Sequence, residues 1–165
     1  MRIYLDSNVF IAVLEGAVDE AGAIRCLLAI GDAREDLFFT SELSLAETLV
    51  VPFELIRPTT AVPVGRSPLA PTTLAADYSD LLTTRHGFTV QAVERSTIIL
   101  AAHVRAGDKK IKLPDAIHLA TAEQSGCTHF LTADKDLLKR VKSFQMIELT
   151  RHGVSLLSSD IETSG

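Results

Sequence analysis

Cysteine is scarce in this chain, with only Cys26 and Cys127 among 165 residues. Two thiols exclude a disulfide scaffold, and neither stands at zinc-ligand spacing from a histidine. Both are expected to be reduced, buried and inert. No apolar run approaches the roughly 20 residues that a membrane-spanning helix needs. The N-terminus lacks a cationic head followed by an apolar segment, so the default expectation is a cytoplasmic protein with no membrane contact. Internal repeats and low-complexity tracts are also missing. Nor is there an excess of positive charge. The formal net charge of −5 argues against binding nucleic acid through general electrostatics. The charge is uneven, however. Up to residue 80 the acids outnumber Lys and Arg by 12 to 5, and beyond it the basic residues lead by 11 to 9.

What remains is an ordinary globular composition, 47% hydrophobic and 22% charged, at a length that suits one domain with a sizeable core. Short apolar runs at Arg2 to Leu5, Leu37 to Thr40, Phe88 to Val90, Thr128 to Thr132 and Phe144 to Leu149 read as strands. Helical periodicity covers Asn8 to Glu15, Glu20 to Ile30, Glu42 to Val51, Thr73 to Arg85, Val93 to Ala106, Asp115 to Ser125 and Asp134 to Val141. Pro52 should terminate the third of these helices, and Pro114 with Gly126 should bracket the sixth. Strands alternating with helices imply an α/β domain with a mostly parallel sheet between helical layers. The domain is expected over 1–150, with a proline-rich, insertion-like loop near 52–71. Residues 151–165 are expected to form a C-terminal tail, fraying from Ser155.

Four acids stand where a solvated surface explains them poorly. Asp6 directly follows the first strand, in IYLDSNVFI, and Asp134 follows the strand HFLT. The carboxyl ends of parallel strands share one edge, where open α/β sheets take their ligands. Asp115 opens a helix in KLPDAIHLATA. Glu47, in SELSLAETLVV, projects between Leu43, Val50 and Val51 at about 100° per residue, within an apolar stripe. Left unpaired there it would lose several kcal/mol to desolvation, so it needs a partner, a cation or a cavity. Each acid has an ordinary explanation by itself: Asp6 and Asp134 as helix caps, Asp115 as a favourable charge at a helix N-terminus, Glu47 as half of an ion pair. Their combination is harder to explain. Carboxylates gathered at one edge repel one another unless a cation joins them. Oxygen ligands without a His or Cys cluster point to Mg²⁺ or Mn²⁺ rather than Zn²⁺. Such a site suits hydrolysis of a phosphodiester.

LDSNVFI, LSLAE, LPDAIHLATA and FLTADKDL, in this order from Tyr4 to about Leu149, resemble the PIN domain. More narrowly, they resemble VapC-type toxins of prokaryotic toxin–antitoxin pairs. The resemblance implies a three-layer α/β/α sandwich, homodimers, a cognate antitoxin protein and endoribonuclease activity on an RNA substrate. It implies one or two Mg²⁺ ions, with Mn²⁺ as substitute, held by Asp6, Asp115 and Asp134, and Glu47 at a second metal position or on a metal-bound water. Asn8 and Thr132 would orient these carboxylates, and Asp136 is an uncertain fifth acid. Arg105, Lys110, Lys135 and Lys139 are candidates for gripping substrate phosphates. His118, one turn from Asp115, is discounted as a general base, since a partly buried histidine usually satisfies a hydrogen bond. Two other readings stay open. One is a PIN-like binding module without activity. The other is a phosphatase or phospho-acceptor domain with Asp6 as nucleophile, though such sites usually place a second Asp where this chain has Asn8.

Overall fold

The computed structural model describes residues 1–34, 36–56, 71–84 and 87–163. Along β1 (Ile3–Leu5) the side chains alternate between two cores. Ile3 and Leu5 enter one, while Tyr4 enters the other. The same alternation parts Phe38 from Phe39 on β2 (Phe38–Ser41) and Leu131 from Phe130 on β4 (His129–Thr132). Strands buried on both faces belong inside a parallel sheet. The sheet has the order β3-β2-β1-β4-β5, with β3 (Thr89–Gln91) and β5 (Gln145–Glu148) at its edges. Every pairing is parallel, so the sheet expected to be mostly parallel is wholly so.

Helices cover both faces. Apolar residues of α1 (Ser7–Glu15), α2 (Val18–Asp32), α4 (Pro71–Thr83) and α8 (Arg151–Thr163) fill the core around Ile3 and Leu5. Those of α5 (Arg95–Gly107), α6 (Leu113–Gln124) and α7 (Lys135–Arg140) fill the core around Tyr4. Helix α3 (Glu42–Ile56) lies between them, with Leu45 and Leu49 against the first core and Leu43 against the second. This is the expected three-layer α/β/α sandwich. From β1 the chain steps outward to β2 and β3, then returns across β1 to lay β4 on its other side. The carboxyl ends of β1 and β4 therefore flank the topological switch point, where open α/β sheets take their ligands.

The structure corrects three expectations. Pro52 does not end α3; it lies buried inside the helix, which continues to Ile56. A proline within a helix costs about 3 kcal/mol, but α3 is already fixed by Leu45 and Leu49 in the core and packs along α4. From 57 to 70 the proline-rich stretch lies outside the described residues. Cys26 is exposed, because Ile24, Leu27 and Leu28 occupy the buried face of α2 and leave it on the other. Cys127 is buried as expected, and burial pushes its thiol up to about 12. The segment expected to fray from Ser155 belongs to α8, whose Val154, Leu157 and Ile161 are buried at helical spacing. Leu157 is 1% exposed. Leu157→Ala is expected to destabilise the protein by about 2–5 kcal/mol in urea unfolding, as core truncations do; an unchanged midpoint would mean that α8 contributes nothing to the fold.

Candidate metal centre

β1 ends at Leu5, and Asp6 turns the chain into α1 with extended backbone. Its carboxyl is buried, 5% exposed, and ringed by donors. Oδ1 accepts from the Ser7 N–H at 2.8 Å and the Ser7 hydroxyl at 3.3 Å. Oδ2 accepts from Asn8 Nδ2 at 2.9 Å and Thr132 Oγ1 at 2.5 Å. These donors offset the desolvation of the buried carboxyl. Thr132 ends β4, and its Oγ1 also accepts from the Asp134 N–H at 3.0 Å. Asp134 caps α7 in turn, Oδ1 accepting from the N–H groups of Asp136 and Leu137 at 2.7 and 3.0 Å. Asp136 itself is exposed in the first turn of α7.

Glu47 finds its partner in His118. Its Oε2 lies 2.9 Å from His118 Nε2, and the same nitrogen is 3.8 Å from Asp6 Oδ1. Burial pushes the Glu47 carboxyl up, but hydrogen bonds from His118 and Ser7 outweigh it and hold the group below its usual range. Ligating atoms of Asp6, Glu47 and His118 all lie within 4.8 Å of one another. Asp115 is half-buried in the first turn of α6. Burial raises its carboxyl above the ordinary 3.8, and the charges of Asp134 and Asp6 raise it further, while Lys112 opposes them. Asp6, Glu47 and His118 can hold a metal ion; among the described residues no grouping of three or more that includes Asp115 or Asp134 is as close. Two of the three donors are carboxylates, and the charge of Asp6 also reaches Asp115, whose carboxyl is raised first by burial and then by Asp134 and Asp6.

The basic candidates are less engaged. Lys110, Lys135 and Lys139 are exposed, with Lys135 Nζ 4.0 Å from Glu148 Oε1. Arg105 is exposed and donates from Nε to the Ile111 carbonyl at 3.1 Å. Sequence reasoning missed the role of Tyr4, whose hydroxyl lies 2.8 Å from His118 Nδ1. It also missed Ser41, whose Oγ lies 3.5 Å from the same nitrogen; Ser7, read with Asn8 as the polar lining of Asp6, does donate to that carboxyl. The available signal was the alternation of β1, which sends Tyr4 to the face that α6 covers.

A raised carboxyl means that ionising Asp115 costs more in the folded chain than in the unfolded one. Stability is therefore lost as pH rises from the ordinary carboxyl range through the folded value. Metal-free Asp115→Asn is expected to melt above the parent at pH 7, with the difference vanishing below about pH 4, where both carboxyl states are protonated. A parent that melts at or above the variant at pH 7 would show that no such repulsion exists.

No curated protein matches the chain significantly. Solved structures do, at low identity. A toxin–antitoxin complex from Klebsiella pneumoniae is 16% identical, covering 91% of this chain and 98% of that one, with a TM-score of 0.59. DNA-bound VapBC from Salmonella typhimurium is 14% identical over 91% and 99%, with a TM-score of 0.64. VapC20 of Mycobacterium tuberculosis, described as a sarcin–ricin loop cleaving toxin, is 16% identical over 83% and 93%, with a TM-score of 0.59. These likenesses extend the fold. Residues 3–143 match the family model described as the PIN domain, and the chain belongs to that family.

Proposed function

We propose that this protein is a metal-dependent endoribonuclease that acts as the toxin of a type II toxin–antitoxin pair, with Mg²⁺ as cofactor and Mn²⁺ as substitute. The observation that carries this reading is the buried Asp6 carboxyl, gathered with Glu47 and His118 and close enough for its charge to raise the Asp115 carboxyl. Asp6, Asp115 and Asp134 would hold the ion, and Glu47 would take a second metal position. A bound Mg²⁺ would supply Lewis-acid polarisation of a phosphoryl oxygen and a more acidic water. Asn8 and Thr132 fix the direction of the Asp6 carboxyl through their bonds to Oδ2. Glu47, anchored on His118, orients the attacking water in line with the scissile bond. Water adds to phosphorus and the P–O3′ bond breaks, leaving a 5′-phosphate and a 3′-hydroxyl. Asp136 would act as an auxiliary acid at the rim of the site. Lys135, Lys139, Lys110 and Arg105 grip the flanking phosphates as exposed cations.

The net charge of −5 suits selection of one structured RNA by shape rather than adhesion to any RNA. The neighbours crystallised as toxin–antitoxin complexes, and the one described as cleaving the sarcin–ricin loop, favour the same reading. On it, the protein forms a homodimer and is held inactive by a cognate antitoxin. The test is cleavage of RNA by the purified protein with Mg²⁺ or Mn²⁺, with mapping of the product ends. Cleavage is expected to give 5′-phosphates and stop with EDTA. It should fall by about a hundredfold or more in Asp115→Asn, since the ion contributes several kcal/mol and each 1.4 kcal/mol is tenfold in rate. Asp115→Asn cleaving as fast as the parent, or cleavage indifferent to EDTA, contradicts the proposal.

A further inference from the structure

Away from the metal centre, on the face of the sheet that α5 and α6 cover, lies a cavity of about 480 Å³. Its size falls within the range of small-molecule sites, about 300–1,000 Å³. Gln124 lines it from α6, nine residues beyond Asp115 on the same helix. At 1.5 Å per residue the two are about 14 Å apart, so the cavity is separate from the acids. Arg2 forms one wall. Its guanidinium lies over the Phe39 ring at 5.1 Å, with Nη1 donating to the Ser125 carbonyl at 2.9 Å and Nη2 3.6 Å from Asp36. Three partners hold the plane, yet 45% of the side chain stays exposed. A guanidinium fixed in this way is a platform on which a flat base can stack. Gln124 Oε1 accepts from the buried Thr97 hydroxyl at 2.6 Å, which leaves its Nε2 to donate. Gln91 adds a second amide, and Glu94 a carboxylate that bonds none of the N–H groups at the start of α5.

The lining therefore combines a stacking plane, amide donors and a charged acceptor. Guanine uses all three: its face stacks, its O6 and N7 accept, and its N1–H and N2–H₂ donate as a pair to a carboxylate. Adenine would turn a lone pair at N1 toward the same carboxylate. We propose that this cavity is a subsite for one guanine base of an RNA, stacked on Arg2 and read by Glu94 and Gln124. The inference rests on the RNA-cleaving reading for its role. It supplies what a chain of net charge −5 needs in order to choose one RNA, because a captured base is recognised without general attraction to phosphates. Unstacked bases of loops and bulges are the usual targets of sequence-specific RNA recognition.

The test titrates metal-free protein with guanosine 5′-monophosphate and follows it by NMR. The amide signals of Gln91, Ser96 and Gln124 are expected to shift, while ribose 5-phosphate leaves them in place. Adenosine 5′-monophosphate is expected to bind at least about fivefold more weakly, as the wrong base does at a bidentate contact. Glu94→Gln, a change at an exposed position, is expected to fold and to lose that preference. Arg2→Lys keeps the charge without the plane and is expected to weaken guanosine monophosphate about fivefold or more. With Mg²⁺, Glu94→Gln is expected to cut RNA with kcat/KM at least about fivefold below the parent. Absent shifts, equal shifts with ribose 5-phosphate, equal binding of the two nucleotides, or unchanged binding in both variants each overturns the inference. Glu94→Gln that loses the guanine preference yet cuts RNA like the parent would make this a site for a free nucleotide and overturn the RNA role. A parent that cuts no RNA but binds guanosine monophosphate as expected overturns the proposed function and leaves the guanine site standing.

Discussion

Burying carboxylates together at the end of a sheet is opposed twice, by desolvation and by mutual repulsion, and everything at the carboxyl edge of β1 is arranged around that opposition. Burying one charge costs several kcal/mol even after relaxation, while hydrogen bonds to a charged group return about 1.5–3 kcal/mol each. Around Asp6 the donors are Ser7, Asn8 and Thr132. Around Glu47, His118 and Ser7 outweigh its burial. Asp115 is not compensated in this way. The help it receives from Lys112 is smaller than the burial and the two neighbouring charges that oppose its ionisation. A divalent cation at the site would offset that opposition.

The fold supplies the geometry. Returning across β1 to lay down β4 places Asp6 and Thr132 at the ends of adjacent parallel strands, and their side chains meet at 2.5 Å. Helix α6 brings Asp115 and His118 to the edge from one core, and α3 brings Glu47 from between the two. The site is therefore assembled from segments far apart in sequence, on the ends of buried strands.

Much of this was legible in the residues. The alternation of Ile3, Tyr4 and Leu5, and of Phe38 and Phe39, follows from strands buried on both faces. Acids directly after two such strands had to lie at one edge. Less legible were features set by tertiary packing. Val154, Leu157 and Ile161 stand at helical spacing, but they sit in so polar a segment that only the core they complete reveals the helix. Pro52 reads locally as a stop and is overridden by its own burial and by the packing of Leu45 and Leu49 before it. Tyr4 reads as one more core aromatic, because nothing in its neighbourhood along the chain points to a histidine 114 residues away.

The central claim is that Asp6 serves as the common ligand of a divalent ion as well as the cap of α1. Asparagine caps a helix as well as aspartate does, so Asp6→Asn separates the two roles. Calorimetric titration of the parent and of folded Asp6→Asn with Mn²⁺ is the direct measurement. The account predicts binding by the parent and a loss of at least about tenfold in affinity in the variant, as removal of a ligand charge requires. Equal Mn²⁺ affinity in the two proteins would contradict it and leave Asp6 as a helix cap alone.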